Sequence, residues 1–178
     1  MSIQNPNALY LETDYEPSEL RNILKSYEPW GHLIEFSNGV STSEFKKRVP
    51  FSDRPLGKIK LISQKVNLDK MRGGKVLDIG CNSGYNSIYC ATQFQMSPVG
   101  IDITPRHIQV SQLLSKIANV NGEYLVESAE TFCRPETFDL VLHFGTLYHL
   151  PNPLLSLQSS FKSLKSGGYI AIETQCYN

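Results

Sequence analysis

Residues 75–86, Lys-Val-Leu-Asp-Ile-Gly-Cys-Asn-Ser-Gly-Tyr-Asn, constrain the fold of this chain more than any other stretch. A short apolar run carries an acid near its end and breaks into a loop with two glycines. A helix-compatible stretch, Asn86 to Phe94, follows at once. That order describes a buried strand, a tight turn and a helix N-terminus. Gly80 and Gly84 permit positive φ and let a ligand come close to the backbone. The helix start adds unpaired N–H groups. Asp78, at the strand end, is expected to face the crevice where open α/β sheets bind ligands.

The spacing also discriminates between ligands. A dinucleotide fold wants G-x-G-x-x-G, three glycines that serve a pyrophosphate. Here the second glycine position is Asn82 and the third is Tyr85. The loop is poorly equipped for a pyrophosphate. It can still admit a ligand without phosphate, one with an amino-acid tail and a ribose.

From Lys75 onward the pattern alternates between strand and helix, which predicts a parallel, doubly wound sheet. Strands are expected at Lys75–Ile79, Pro98–Asp102, Glu123–Val126, Phe138–Phe144 and Tyr169–Thr174. Helices are expected from about Tyr85 to Phe94, from Thr104-Pro105 to about Ala118, and from Asn152-Pro153 to Leu164. The cap–Pro pairs mark the last two starts. Leu154, Leu157, Phe161 and Leu164 are expected to point inward, and Gly167-Gly168 to end that helix. The fold class is therefore α/β: a Rossmann-like sheet of about five strands. Upstream, residues 1–15 read as a polar arm. Glu16–Tyr27 reads as a helix capped by Ser18, with Leu20, Ile23, Leu24 and Tyr27 on one face. Asn38-Gly39 reads as a turn, 41–57 as loop, and Leu56–Leu68 as a helix with Ile59, Ile62 and Val66 on one stripe. Residues 1–70 are taken as an N-terminal helical and loop segment, a candidate lid. Residues 71–178 are taken as the ligand-binding domain.

Composition excludes several classes. With 178 residues the chain is long enough for one domain with a real core. Its net charge is zero, so no global field draws it to nucleic acid or membrane. No apolar run approaches the length of a membrane span. The four cysteines show neither metal nor disulfide spacing and are expected to be free thiols in the cytoplasm. No metal site is expected. Cys81, Cys90 and Cys133 read as packing residues. Lys46-Lys47-Arg48, followed by Arg54, Lys58 and Lys60, reads first as a solvated basic face.

The expected chemistry sits at strand ends. Asp102 closes the second strand of the sheet, 18 residues after Gly84. An ionised acid there can accept two hydrogen bonds from a ribose diol. Thr104 is expected to cap the next helix, which leaves Asp102 free for that role. After the third strand, Ala129 and Glu130 are candidates for holding an adenine. After the fourth comes Phe144-Gly145-Thr146-Leu147-Tyr148-His149-Leu150. His149, at the crevice mouth, is the candidate catalytic residue, able to take a proton from a hydroxyl. His143, inside the strand, reads as a core histidine.

The pattern D-x-G-x-x-x-G resembles motif I of class I S-adenosylmethionine (SAM) methyltransferases. Together with C-N-S-G-Y-N, G-I-D-I-T-P, L-Y-H and the upstream P-W-x-H, it resembles the branch containing the tRNA wobble-uridine carboxymethyltransferase, over about residues 29–178. The resemblance implies a cofactor pocket lined by Gly80, Asp102, Ile103, Thr104, Ala129, Glu130, Phe144 and Tyr148. Asp78, Asn82 and Gly84 complete the expected cofactor set. Trp30, His32 and Lys60 are the expected substrate-side residues, Trp30 and Lys60 on a looser alignment.

Two departures from that branch are visible. Its large N-terminal extension is missing or much reduced here. The arginine that clasps a carboxylated SAM lies in a strand beyond residue 178. An uncompensated carboxylate in a pocket is costly, so SAM is expected rather than carboxy-SAM. Class I enzymes also have seven strands, and here the material suffices for five, without the C-terminal antiparallel hairpin. The last strand is then expected to be a sheet edge that either pairs with a second copy or makes the chain poorly soluble. The expected function is methyl transfer from SAM to a small-molecule acceptor. The alternatives are a shortened SAM-binding or interaction protein without turnover, and carboxymethyl transfer to tRNA wobble uridine.

Overall fold

The computed structural model describes residues 7–45 and 54–176. The chain opens with two three-residue strands, β1 (Leu9–Leu11) and β2 (Ile34–Phe36), paired in parallel. Helix α1 (Pro17–Ser26) connects them, and α2 (Arg54–Lys65) leads on toward the main sheet. Then β3 (Lys75–Ile79), α3 (Tyr85–Phe94), β4 (Ser97–Asp102), α4 (Pro105–Ile117) and β5 (Glu123–Val126) follow in alternation. β6 (Phe138–Phe144), α5 (Pro153–Ser163) and β7 (Leu164–Glu173) complete it. The five-stranded sheet has the order β5-β4-β3-β6-β7, with every pairing parallel. This is the expected Rossmann-like architecture. The order reverses between β3 and β6, the point at which such sheets bind ligands.

Side-chain alternation along the strands builds two cores. On one face Val76, Leu140 and Leu142 meet Ile59 of α2, Ile88 of α3 and Leu114 of α4. The same cluster takes in Leu9, Leu11, Leu20, Leu24, Ile34 and Phe36. The N-terminal segment is thus part of the main core. Each of its fully buried leucines contributes about 1.5–3 kcal/mol. On the other face Leu77, Ile79, Val99, Ile101 and Val141 pack with Phe138 and Ala129. Among the described residues no helix is long and apolar enough to cross a membrane.

Several expectations are corrected. Residues 1–15 do not all form an arm: Leu9 and Leu11 are buried in β1. A strand of three residues is too short for its alternation to show in a sequence. Glu16, not Ser18, occupies the α1 N-cap, and no side chain caps that helix. α2 begins at Arg54, and Leu68 belongs to a separate 3-10 turn, Leu68–Met71. The Lys46–Arg48 run lies outside the described residues. Cys133 is exposed and does not pack, whereas Cys81 and Cys90 are buried.

The largest correction concerns α5. Its buried face is Ser156, Ser159, Ser160 and Ser163, while Leu154 is 69% and Phe161 75% exposed. Leu164 begins β7 directly after the helix, so no loop is left to rotate it, and Gly167-Gly168 lies within the strand. The serines can face inward because each hydroxyl has an acceptor. Ser160 Oγ donates to the Ser156 carbonyl (2.7 Å), and Ser163 Oγ to that of Ser159 (2.8 Å). Ser159 Oγ donates to the Glu130 carbonyl (2.9 Å), and Ser156 Oγ meets His143 Nε2 at 2.9 Å. His143 is fully buried, as a core histidine should be. Small side chains bring the helix close to the sheet. Ser160→Leu should therefore cost about 1–3 kcal/mol through overpacking. Phe161→Ser should change stability by no more than about 0.5 kcal/mol. Urea unfolding of both variants checks this, and the reverse ranking would mean the leucine–phenylalanine face is the inner one.

Candidate functional site

At the carboxyl ends of β3, β4 and β6 lies a cavity of about 600 Å³, a size suited to a small molecule or cofactor. Its floor is the loop after β3. Gly80 has φ +69°, and a Cβ there would stand 2.1 Å from Thr146 Oγ1. Only a glycine lets the ends of β3 and β6 come this close. Thr146 Oγ1 donates to the Ile79 carbonyl (3.2 Å), and the N–H groups of Gly80 and Cys81 both donate to the Ile101 carbonyl. The loop is thereby fastened to strands on both sides.

Asp102 is the polar centre. Its Oδ1 accepts from Thr104 N (2.9 Å), and its Oδ2 from Asn82 N (3.0 Å). His107 Nδ1 lies 3.1 Å from the same Oδ2. Asn82 reaches it from a left-handed backbone, φ +51°. The expected division of labour between Asp102 and Thr104 is corrected: Thr104 occupies the N-cap of α4, but its side chain caps nothing. Asp102 itself holds the turn. A carboxylate has about four acceptor sites, so beyond the two backbone N–H groups two remain, one of them now facing His107.

The expected cofactor residues divide between two places. Gly80, Asn82, Asp102, Ile103, Ala129 and Glu130 line the cavity together, and His149 lines it from the opposite wall. Ile103 is 72% exposed there, an apolar surface beside a carboxylate, as a ribose-linked base requires. Glu130 has other duties: its N–H donates to Ser128 Oγ and its carboxylate accepts from Asn152 N–H. Tyr148 is 42% exposed, its ring centre 4.2 Å from that of His149 and tilted 50° to it. Phe144 lies outside this cavity, in a groove between α2 and β7. Gly84 is the N-cap of α3.

Asp78 does not face the crevice. It is buried under the start of α3, where its Oδ2 accepts from Ser87 N (3.2 Å). The packing of α3 against this face of the sheet takes it from solvent, and that desolvation raises its pKa to about 6.

Of the substrate-side residues, only His32 reaches the loop. Its Nδ1 lies 2.7 Å from Ser83 Oγ, and its ring lies 5.1 Å from that of Tyr85. Burial, aided by His107 and Lys58, lowers its pKa to about 4, so the imidazole is neutral at pH 7. Trp30 is buried and donates its Nε1–H to the Leu24 carbonyl (2.8 Å), ending α1 rather than lining the cavity. Lys60 is on the exposed side of α2. The lysine that α2 turns inward is Lys58, paired with Glu173 at 2.7 Å. Sequence reasoning missed Lys58, Glu173, Thr146 and His107 as site residues. The phase of α2 was the one signal that could have separated Lys58 from Lys60. Among the described residues no cluster of three or more His, Cys, Asp or Glu could hold a metal.

The two shifted groups act oppositely on stability. His32, held below its unfolded value of 6.5, costs stability as pH falls toward about 4, because the unfolded chain takes the proton first. Asp78, held above 3.8, costs stability as pH rises toward about 6, because the folded chain holds the proton longer. The Asp78 contribution is on the order of 3 kcal/mol. Asp78→Asn should make stability rise more steeply with pH between about 4 and 6, and His32→Gln should make it rise less steeply. Denaturant titrations across that window check both slopes, and parallel slopes in the two variants would refute the assignment.

Comparison with known proteins agrees with this geometry. Residues 51–178 match the family model described as a methyltransferase domain. The chain is 30% identical over 166 residues to a tRNA U34 carboxymethyltransferase of Desulfotalea psychrophila, covering 90% of this chain and 48% of that protein. It is 35% identical over 134 residues to a ubiquinone biosynthesis O-methyltransferase of Pseudomonas fluorescens, covering 74% and 55%. It thus spans about half the length of these curated relatives. The solved PH0226 protein of Pyrococcus horikoshii shares the fold, with a TM-score of 0.60 at 24% identity over 68% of this chain and 56% of that one. The family match over most of the sequence, on a sheet whose reversal point carries the glycine loop and Asp102, establishes that the chain belongs to the class I SAM-dependent methyltransferases.

Proposed function

We propose that this chain binds SAM in the cavity at the β3–β6 reversal and transfers its methyl group to a small-molecule acceptor. The observation that carries this reading is Asp102, fixed by two backbone N–H groups at the cavity wall. Its remaining acceptor capacity suits a ribose diol, with His107 the neighbour that yields. Ile103 supplies the apolar surface for an adenine, and Gly80 and Asn82 leave backbone room for the amino-acid tail. Bound SAM supplies a methyl already activated by its sulfonium charge. The protein's contribution is placement of the acceptor in line with it.

The cavity favours SAM over carboxy-SAM. Asp102, Glu127 and Glu130 line it, and among the described residues no lysine or arginine does. Carboxylates favour a sulfonium cation and disfavour a further carboxylate. A small acceptor is favoured over tRNA by the zero net charge. A cytoplasmic setting is supported by four free cysteines. Among the described residues, nothing pairs with the outer side of β7, and Tyr169 and Ile172 are half exposed along it. A homodimer through that edge belongs to the same proposal, and light scattering over a range of concentrations measures it.

Isothermal titration with S-adenosylhomocysteine should give a Kd in the micromolar range, about −8 kcal/mol. Asp102→Asn should weaken it by about 1.5–3 kcal/mol, roughly ten- to 150-fold, and should also lower the melting temperature, because the amide keeps an acceptor for only one of the two turn N–H groups. Absence of binding at millimolar ligand would refute the cofactor assignment. Equal affinity in the variant would reduce Asp102 to a turn residue.

A further inference from the structure

We infer that His107 occupies the place on Asp102 that one ribose hydroxyl must take, so that it sets the cofactor affinity of the site and lowers that affinity as it becomes protonated. The inference rests on the SAM-binding reading above. Asp102 and His107 line the same cavity. Each carboxylate oxygen has about two acceptor sites. Oδ2 fills both of its own, with Asn82 N at 3.0 Å and His107 Nδ1 at 3.1 Å. Oδ1 gives one to Thr104 N at 2.9 Å. A single site is left, on Oδ1, and a diol that bonds both oxygens needs one on each. A donor on Oδ2 must therefore leave. Asn82 N belongs to the glycine loop, whose Gly80 and Cys81 N–H groups are tied to the Ile101 carbonyl, so it stays. The imidazole is a side chain 37% exposed, against 10% for Asp102. His107 has a way out to solvent, and the acid does not.

The chemistry of this contact gives the effect its sign. An ionised carboxylate only accepts, so a neutral imidazole at this distance carries its proton on Nδ1. Protonation of the ring turns a neutral donor into a charged one, and such a bond is about twice as strong. Histidine is the side chain that gains this charge between about pH 8 and pH 5. Acid therefore tightens the hold of His107 on Asp102 and makes its displacement harder. The other titratable groups around this space are Glu127 and Glu130 after β5 and His149 on the opposite wall. His32 approaches from the N-terminal segment, and His107 helps to keep its ring uncharged. The glutamates favour the charged form of His107, and a sulfonium in the cavity disfavours it. The coupling is reciprocal: acid weakens cofactor binding, and cofactor binding expels a proton from the ring to solvent.

Isothermal titration with S-adenosylhomocysteine at about pH 8 and about pH 5.5, the two sides of the range in which histidine charges, tests this. The parent should lose about tenfold in affinity over that interval. His107→Ala should bind about threefold tighter than the parent at the higher pH and about thirtyfold tighter at the lower, so that its own affinity barely changes. A gain in affinity cannot come from a damaged fold, and Asp78 and His32 titrate in both proteins. His107→Gln, whose amide donates but cannot gain a charge, should lose the acid slope as well. Between the two pH values, in buffers of different ionisation enthalpy, the parent should release more of a proton on binding than His107→Ala. Displacement of S-adenosylhomocysteine by nucleosides places the effect on the diol. Adenosine should gain about threefold in His107→Ala, and 2′,3′-dideoxyadenosine should not change. His107→Ala no tighter than the parent at either pH, an equal acid loss in the parent and both variants, equal proton release by the parent and His107→Ala, or an equal gain by the dideoxynucleoside would each overturn this inference alone. A parent that binds S-adenosylhomocysteine at neither pH would overturn the cofactor reading and this inference with it.

Discussion

The site depends on one close approach, that of the chain at Gly80 to Thr146. β3 pairs with β4 on one side and β6 on the other, so its end is where two strand ends must diverge to open a crevice. A Cβ at Gly80 would overlap Thr146 and force them apart. With glycine there, Thr146 ties itself to the Ile79 carbonyl, and the following N–H groups tie to Ile101. The loop then has little freedom, and Asn82 N–H is delivered to Asp102. The acid that defines the cavity is thus held by the loop that defines the turn. Fold and site are consequences of the same contact.

The charges around the crevice are segregated. Asp102, Glu127 and Glu130 line the cavity. Lys58 stands beyond Gly145, bonded to Glu173. A cationic ligand is favoured in the first region, and in the second the lysine and the glutamate neutralise each other. His32 sits near both His107 and Lys58, and its depressed pKa follows partly from them. A charged imidazole there would add positive charge beside Lys58 in a site closed to solvent. Burial keeps it neutral, so it can bond Ser83 without that repulsion.

The sheet was legible in the sequence because its signals are strong and local. Apolar runs ending in glycine or acidic loops located β3, β5 and β6 to the residue. Cap–Pro pairs located α4 and α5. What failed was orientation. Lys58 and Lys60 are two positions apart, roughly 200° around a helix. Ile59 lies about 100° from each, and it is Ile62, one turn on from Lys58 and packed on the core, that shows which one turns inward. Asp78 and Asp102 both end strands, yet only the second opens to the cavity. The first is taken by the N-terminus of α3. Periodicity gave the correct length for α5 and the wrong face, because four serines with internal acceptors are as easily buried as leucines.

That inversion of α5 has a consequence for the site. A leucine-faced helix would stand farther from β6 and β7, since larger side chains widen the gap between helix and sheet. With serines inward, Ser159 Oγ reaches the Glu130 carbonyl and Asn152 N–H reaches the Glu130 carboxylate. The loop after β5, which forms one wall of the cavity, is therefore anchored to the helix that follows β6. Ala129, 6% exposed, seats that loop on the core formed by Ile79, Ile101 and Val141. The small residues that defeat a pattern-based reading of the helix are the ones that let it anchor a wall of the cavity.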